Sequence, residues 1–185
     1  VEAVTPVRQL ALVGLMGVGK TTVGRLLAQS LRLPLRDSDA EIEAGHGMTV
    51  RAIQAREGAE VLHRLEADVL LDQLERPGSS VICAAAATVE DIRCRRSLRG
   101  AGVRAIWLRA SLETMVARYD SDGHRPRYPE GTRSALRTQL ARRASHYAEV
   151  AAMTVEVDGL AAHAIAAAIE RRALAWGVEP GGEAP

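Results

Sequence analysis

Eight residues near the start of the chain, Gly14-Leu15-Met16-Gly17-Val18-Gly19-Lys20-Thr21, restrict what the remainder can become. They satisfy the pattern G-x-x-x-x-G-K-[ST] without a gap. An apolar run, Val7 to Val13, precedes them and an amphipathic run, Lys20 to Leu31, follows. Strand, loop and helix in that order are the context in which the pattern has a physical meaning. Glycines let the main chain curl so that several N–H groups converge on one anion, and the helix behind adds the positive end of its dipole. Gly17, Val18, Gly19, Lys20, Thr21 and Thr22 are therefore the candidate phosphate-binding residues. Lys20 brings a mobile charge to the outer phosphates of ATP, and Thr21 offers a hydroxyl to Mg2+. Of 24 Lys and Arg residues, Lys20 is the only lysine. The chain uses arginine for every other cation.

A chain of 185 residues is long enough for one domain with a sizeable core. The net charge of +1 gives no reason to expect nucleic acid or a membrane surface as a partner. No apolar run approaches the roughly 20 residues of a membrane span, and no charged-then-apolar leader is seen. Two cysteines, Cys83 and Cys94, form no disulfide or zinc framework and suit a reducing cytoplasm. A cytoplasmic monomer is expected.

Along the chain, strand-like and helix-like patterns alternate. Strands are expected at Val7–Val13, Leu33–Leu35, Ser79–Ala84, Val103–Leu108 and Met153–Val157. Helices are expected at Thr21–Leu31, Ala40–Ala44 (broken by Gly45 and Gly47), Val50–Arg56 behind a Thr49 cap, and Ala59–Leu74. Further helices are expected at Val89–Leu98, from a Ser111 cap to Tyr119, at Thr132–Val150 and at Leu160–Ala175. This alternation predicts an α/β fold: a five-stranded parallel sheet with helices on both faces. One domain would cover residues 1–176, with a mobile lid at about 120–131, because a loop that long in a compact domain is usually functional or disordered. Residues 177–185, rich in Gly, Pro and Glu, read as a flexible tail.

Asp37 and Asp39 end the short second strand. If that backbone stays extended, both carboxylates face one side, at the strand end beside the phosphates. One carboxylate can hold water on the metal, and the other can accept the proton of a substrate hydroxyl. An Asp-Ser-Asp run is equally a turn followed by a helix cap.

At this point the chain resembles the shikimate kinase family, from Leu10 to about Ala175. Gly14–Thr21 matches its P-loop, and Asp37-Ser38-Asp39 with Ile42-Glu43 matches its D-T-D or D-S-D segment. Gly58-Ala59-Glu60 with Leu65-Glu66 matches its G-E-x-x-F-R-x-x-E helix, and Arg143 with Tyr147 its R-x-x-x-Y. The resemblance implies a P-loop kinase that uses ATP and Mg2+ on a small-molecule hydroxyl acceptor, anionic like shikimate. It implies that Thr21 and Asp37 serve the metal and that Asp39 meets the acceptor hydroxyl. Arg118 would lie on the adenine side, Arg125 would cover the phosphates from the lid, and Arg143 would grip a carboxylate.

Two departures from the family fall in the acceptor pocket. His63 stands where the family has an arginine, and Ala84-Ala85-Ala86 stand where it has three glycines. Arginine grips a carboxylate through a fixed, always charged fork, whereas histidine offers one donor per nitrogen and is mostly neutral at pH 7. Alanine accepts neither positive φ nor close backbone approach as cheaply as glycine, so an acceptor at this loop would meet three methyl groups. Three outcomes stay open: a related acceptor, ordinary shikimate phosphorylation that tolerates the changes, or a nucleotide-binding protein without turnover.

Overall fold

The computed structural model describes residues 6–120, 128 and 130–181. Five strands form one parallel sheet: β1 (Gln9–Val13), β2 (Leu35–Asp37), β3 (Ser80–Cys83), β4 (Val103–Arg109) and β5 (Ala151–Glu156). Their order is β2-β3-β1-β4-β5. Every residue of central β1 is buried, whereas edge strand β5 alternates between buried or partly buried and exposed positions. This difference is why the first run reads as continuously apolar and the last does not. The chain leaves β1 for one edge of the sheet, returns to β3, then crosses to β4. The topological switch therefore lies at the C-terminal end of β1, where open α/β sheets bind ligands.

The helices are α1 (Lys20–Leu31), α2 (Ser38–His46), α3 (Val50–Glu57), α4 (Ala59–Glu75), α5 (Ile92–Leu98), α6 (Leu112–Asp120), α7 (Thr132–Val150) and α8 (Ala162–Ala175). Leu10, Leu12, Leu27, Leu70, Ile82, Ile106 and Ile169 are fully buried in the main core. A smaller apolar cluster joins Ile42 of α2, Ile53 of α3 and Leu62 of α4, with Met48, Val50, Leu65 and Val69 packed around it. Thus α2 and α3 rest on α4 as a platform with a core of its own.

Beyond shifts of up to two residues at element ends, as in β1 and β2, the structure corrects the expected elements in four places. Asp39 is not extended: Asp37 (φ −112°, ψ 117°) caps α2, and Asp39 lies in that helix's first turn. Helix α2 runs through Gly45 and stops at Gly47, because an exposed glycine inside a helix costs only about 1 kcal/mol. The helix expected from Val89 begins as a 3₁₀ turn, Thr88–Glu90. It restarts after extended Asp91, whose carboxylate accepts the Arg93 N–H at 2.7 Å. The expected loose tail is fastened as far as Gly181: Val178 is buried, and the Gly181 N–H donates to Leu31 O at 2.8 Å. Most of the expected lid, Arg125 included, lies outside the described residues.

Candidate active site

The phosphate-binding turn joins β1 to α1. Gly14 has φ +143°, and a Cβ there would stand 2.5 Å from Leu108 O, so glycine is required by the close approach of β4. Gly19 (φ 97°, ψ 22°) sets α1 off from the turn in a left-handed conformation, and no side chain caps the helix. The first N–H groups of α1 have no partner within the helix, which leaves them able to bind an anion. Lys20 Nζ donates to Gly14 O at 2.8 Å and Leu15 O at 3.1 Å, folding the ammonium over the turn it belongs to. Arg118, in the last turn of α6, donates to Val18 O at 3.2 Å. Beside it, a cavity of about 240 Å³ is bordered by Gly19, Thr22, Val23, Leu160 and Ile165, an apolar slot with one cation at its edge.

Across the turn, Thr21 Oγ1 donates to Asp37 Oδ2 at 2.8 Å. The other carboxylate oxygen of Asp37 accepts from Asp39 N and Ala40 N at 3.2 and 3.4 Å. A cleft of about 290 Å³ brings Lys20, Thr21, Asp37 and Asp39 together, with Ala84, Glu43 and Arg51 also on its walls. The two carboxylates thus share a cleft as expected, but through a cap followed by a helical turn rather than through extended alternation. The hydroxyl of Thr21 and the carboxylate of Asp37 are hard oxygen donors. They suit Mg2+, which is held by few protein ligands and keeps its waters.

The acceptor side is built on α4, α7 and the segment after β3. Arg143 is 5% exposed; its Nε donates to Glu90 Oε1 at 3.1 Å and an Nη to Gln139 Oε1 at 3.0 Å. The Tyr147 hydroxyl, on the next turn of α7, donates to Ala86 O at 2.7 Å. His63 is half-buried, and burial together with the Arg143 charge lowers its pKa. Glu66 lies one turn further along α4 and is 8% exposed. Its Oε2 has no hydrogen-bond partner among the described residues. Burial, reinforced by the negative charge of Asp39, pushes the Glu66 carboxyl up to about 8 despite the opposing cations Arg143 and Lys20. Ala84 to Ala87 are buried, and among the described residues other than glycine only Arg32 has a positive φ. The alanine segment therefore follows a path that alanine accepts. It places Ala84 on the cleft wall, which Ala85 and Ala86 do not line.

A family model described as shikimate kinase matches residues 16–173. The chain belongs to the shikimate kinase family. Shikimate kinase of Pseudomonas syringae pv. tomato is 39% identical over 153 residues, covering 82% of this chain and 87% of the relative. That of Shewanella amazonensis is 36% identical over 160 residues, covering 86% and 92%. Shikimate kinase from Acinetobacter baumannii in complex with shikimate superposes with a TM-score of 0.85 at 32% identity, covering 92% of this chain and 95% of that one. As a member of the shikimate kinase family, the chain is a phosphotransferase that acts on a hydroxyl. Of the residues expected at the site, the cleft is lined by Gly17, Gly19, Lys20, Thr21, Thr22, Asp37, Asp39 and Ala84. Val18 and Arg118 border the neighbouring slot. His63, Ala85, Ala86 and Arg143 do not line this cleft. Sequence reading missed Glu90, whose bond to Arg143 spans 53 residues and leaves no local trace. It also missed Arg51, although the absence of an acidic residue three or four positions away on either side was visible.

Proposed function

We propose that this kinase transfers the γ-phosphoryl group of ATP, with Mg2+, to a hydroxyl of shikimate or of a closely related small polyol acid. The observation that carries the reading is the shared cleft of Lys20, Thr21, Asp37 and Asp39 at the switch point of the sheet. In this reading the turn amides and the start of α1 hold the phosphates, while Lys20 leaves its carbonyl partners for the outer phosphate oxygens. The base occupies the apolar slot beside Arg118. Thr21 and Asp37 hold Mg2+, which supplies neutralisation of phosphate charge. Asp39 orients the acceptor hydroxyl and takes its proton as the oxygen attacks the γ-phosphorus and the bond to the β–γ bridging oxygen breaks, releasing ADP. Arg125 is assigned to cover the phosphates. Arg143, His63 and Ala84 to Ala86 are assigned to the acceptor pocket and its backing. The family match and the likeness to a shikimate-bound relative support the acceptor. No helix among the described residues is long and apolar enough to cross a membrane. A cytoplasmic monomer is the working assembly.

An ADP-release assay with shikimate tests this reading. Turnover that disappears in Asp39→Asn and Lys20→Met, while both variants keep the wild-type circular dichroism, is the expected result. Turnover with another polyol acid but not with shikimate would redirect the acceptor. Mg·ATP binding without turnover on any hydroxy acid would leave a nucleotide-binding protein and refute the reading.

A further inference from the structure

We propose that Arg51 is the cation that anchors the anionic group of the acceptor in this chain. The inference rests on the acceptor reading above and deepens it. Two cationic side chains line the catalytic cleft among the described residues: Lys20, which belongs to the phosphate-binding turn, and Arg51, which belongs to α3. The family's grip on a carboxylate would fall to Arg143 and to the position of His63, yet neither delivers a mobile charge to this cleft. Arg143 is buried, its Nε bonded to Glu90, a carboxylate it shares with Arg142, and one Nη bonded to Gln139. His63 is shifted toward the neutral imidazole by burial and by Arg143.

Arg51 has the opposite properties. It is exposed, and among the described residues its guanidinium has neither an ion pair nor a hydrogen bond. Its base is fixed. Thr49 Oγ1 accepts the Ala52 N–H at 3.2 Å, and Glu43 Oε1 accepts the Val50 N–H at 3.0 Å, so the first turn of α3 is capped from two sides. Ile53, two residues on, is fully buried in the small cluster shared with α2 and α4. Arg51 is thus a long, charged, uncommitted fork on a pinned turn, and it shares one cleft with the Asp39 carboxylate. A small molecule carrying both a carboxylate and hydroxyl groups can meet both at once: its carboxylate on Arg51 through paired N–H bonds, its reacting hydroxyl on Asp39. The chain has then moved the anion anchor from α4 and α7 to α3.

The test compares steady-state kinetics of wild type, Arg51→Gln and Arg51→Lys with shikimate and with its uncharged methyl ester. Loss of a charge-assisted contact is expected to raise the KM for shikimate about tenfold or more in Arg51→Gln, with the KM for Mg·ATP changed less than about twofold. Arg51→Lys should recover part of the loss, and the methyl ester should show no difference among the three proteins. An unchanged shikimate KM in Arg51→Gln, in a wild type that turns over, would overturn the assignment alone. A rise in the KM for Mg·ATP instead would overturn it by placing Arg51 on the phosphates. A wild type that binds Mg·ATP but turns over no hydroxy acid would overturn it together with the reading beneath it.

Discussion

Replacing Glu66 by glutamine should make the protein more stable at neutral pH and remove much of its loss of stability between acid and neutral solution. The carboxyl is 8% exposed, one of its oxygens has no partner among the described residues, and burial pushes it up to about 8 from an ordinary value of 4.5. Below pH 4.5 the group is protonated in both folded and unfolded chains, so it contributes no pH dependence. As pH rises toward the folded value, the unfolded chain releases the proton while the folded chain retains it, and folding becomes progressively less favourable. Between pH 4.5 and about pH 7.5 the difference spans roughly three pH units at about 1.4 kcal/mol each, or about 4 kcal/mol. For a chain of this length, that is a shift in Tm on the order of 10 °C. The amide of glutamine has nearly the same shape and no charge to desolvate. The assay is differential scanning calorimetry of Glu66→Gln and wild type at matched pH from 4.5 to 8. The Tm difference should be near zero at the acid end and widen steadily in favour of the variant. A gap that is the same at every pH would show that Glu66 titrates normally, and would refute the argument from burial.

Three further outcomes follow from the same geometry. Gly14→Ala should cost at least about 3 kcal/mol, read as a lower urea midpoint, because the new methyl would stand 2.5 Å from Leu108 O at a φ of +143°. Tyr147→Phe removes the hydroxyl that donates to Ala86 O at 2.7 Å and should cost about 1–3 kcal/mol in the same measurement, since the carbonyl is left buried. His63→Arg places a guanidinium three residues before Glu66 on one helix face, where it can meet the partnerless oxygen. That substitution should flatten the pH dependence of Tm, and combined with glycine at positions 84, 85 and 86 it should raise kcat/KM for shikimate.

What was legible in the sequence was what neighbouring residues decide among themselves. The turn from Gly14 to Thr21, the buried run of β1 and the α7 span Thr132–Val150 all follow from local pattern; the α7 span stands as read, and β1 begins two residues later than expected, at Gln9. Asp37 and Asp39 were brought to one cleft for the wrong reason. A capping carboxylate and an extended residue look alike in sequence, and here the bonds from Asp39 N and Ala40 N decide for the cap. The acceptor side was least legible because its charges are settled across the fold. Nothing near Arg143 announces Glu90, and nothing near Glu66 announces that Asp39 would be its neighbour. The tail misread came from composition, since a Gly- and Pro-rich stretch can still bury one valine, here Val178.

The carboxylate of Asp37 has both its oxygens engaged, one by the hydroxyl of Thr21 and the other by the amides that open α2. In the proposed reading, a divalent ion at Asp37 would draw on the same planar carboxylate that caps the turn carrying Asp39. Metal loading and the placement of Asp39 would then be linked through one side chain.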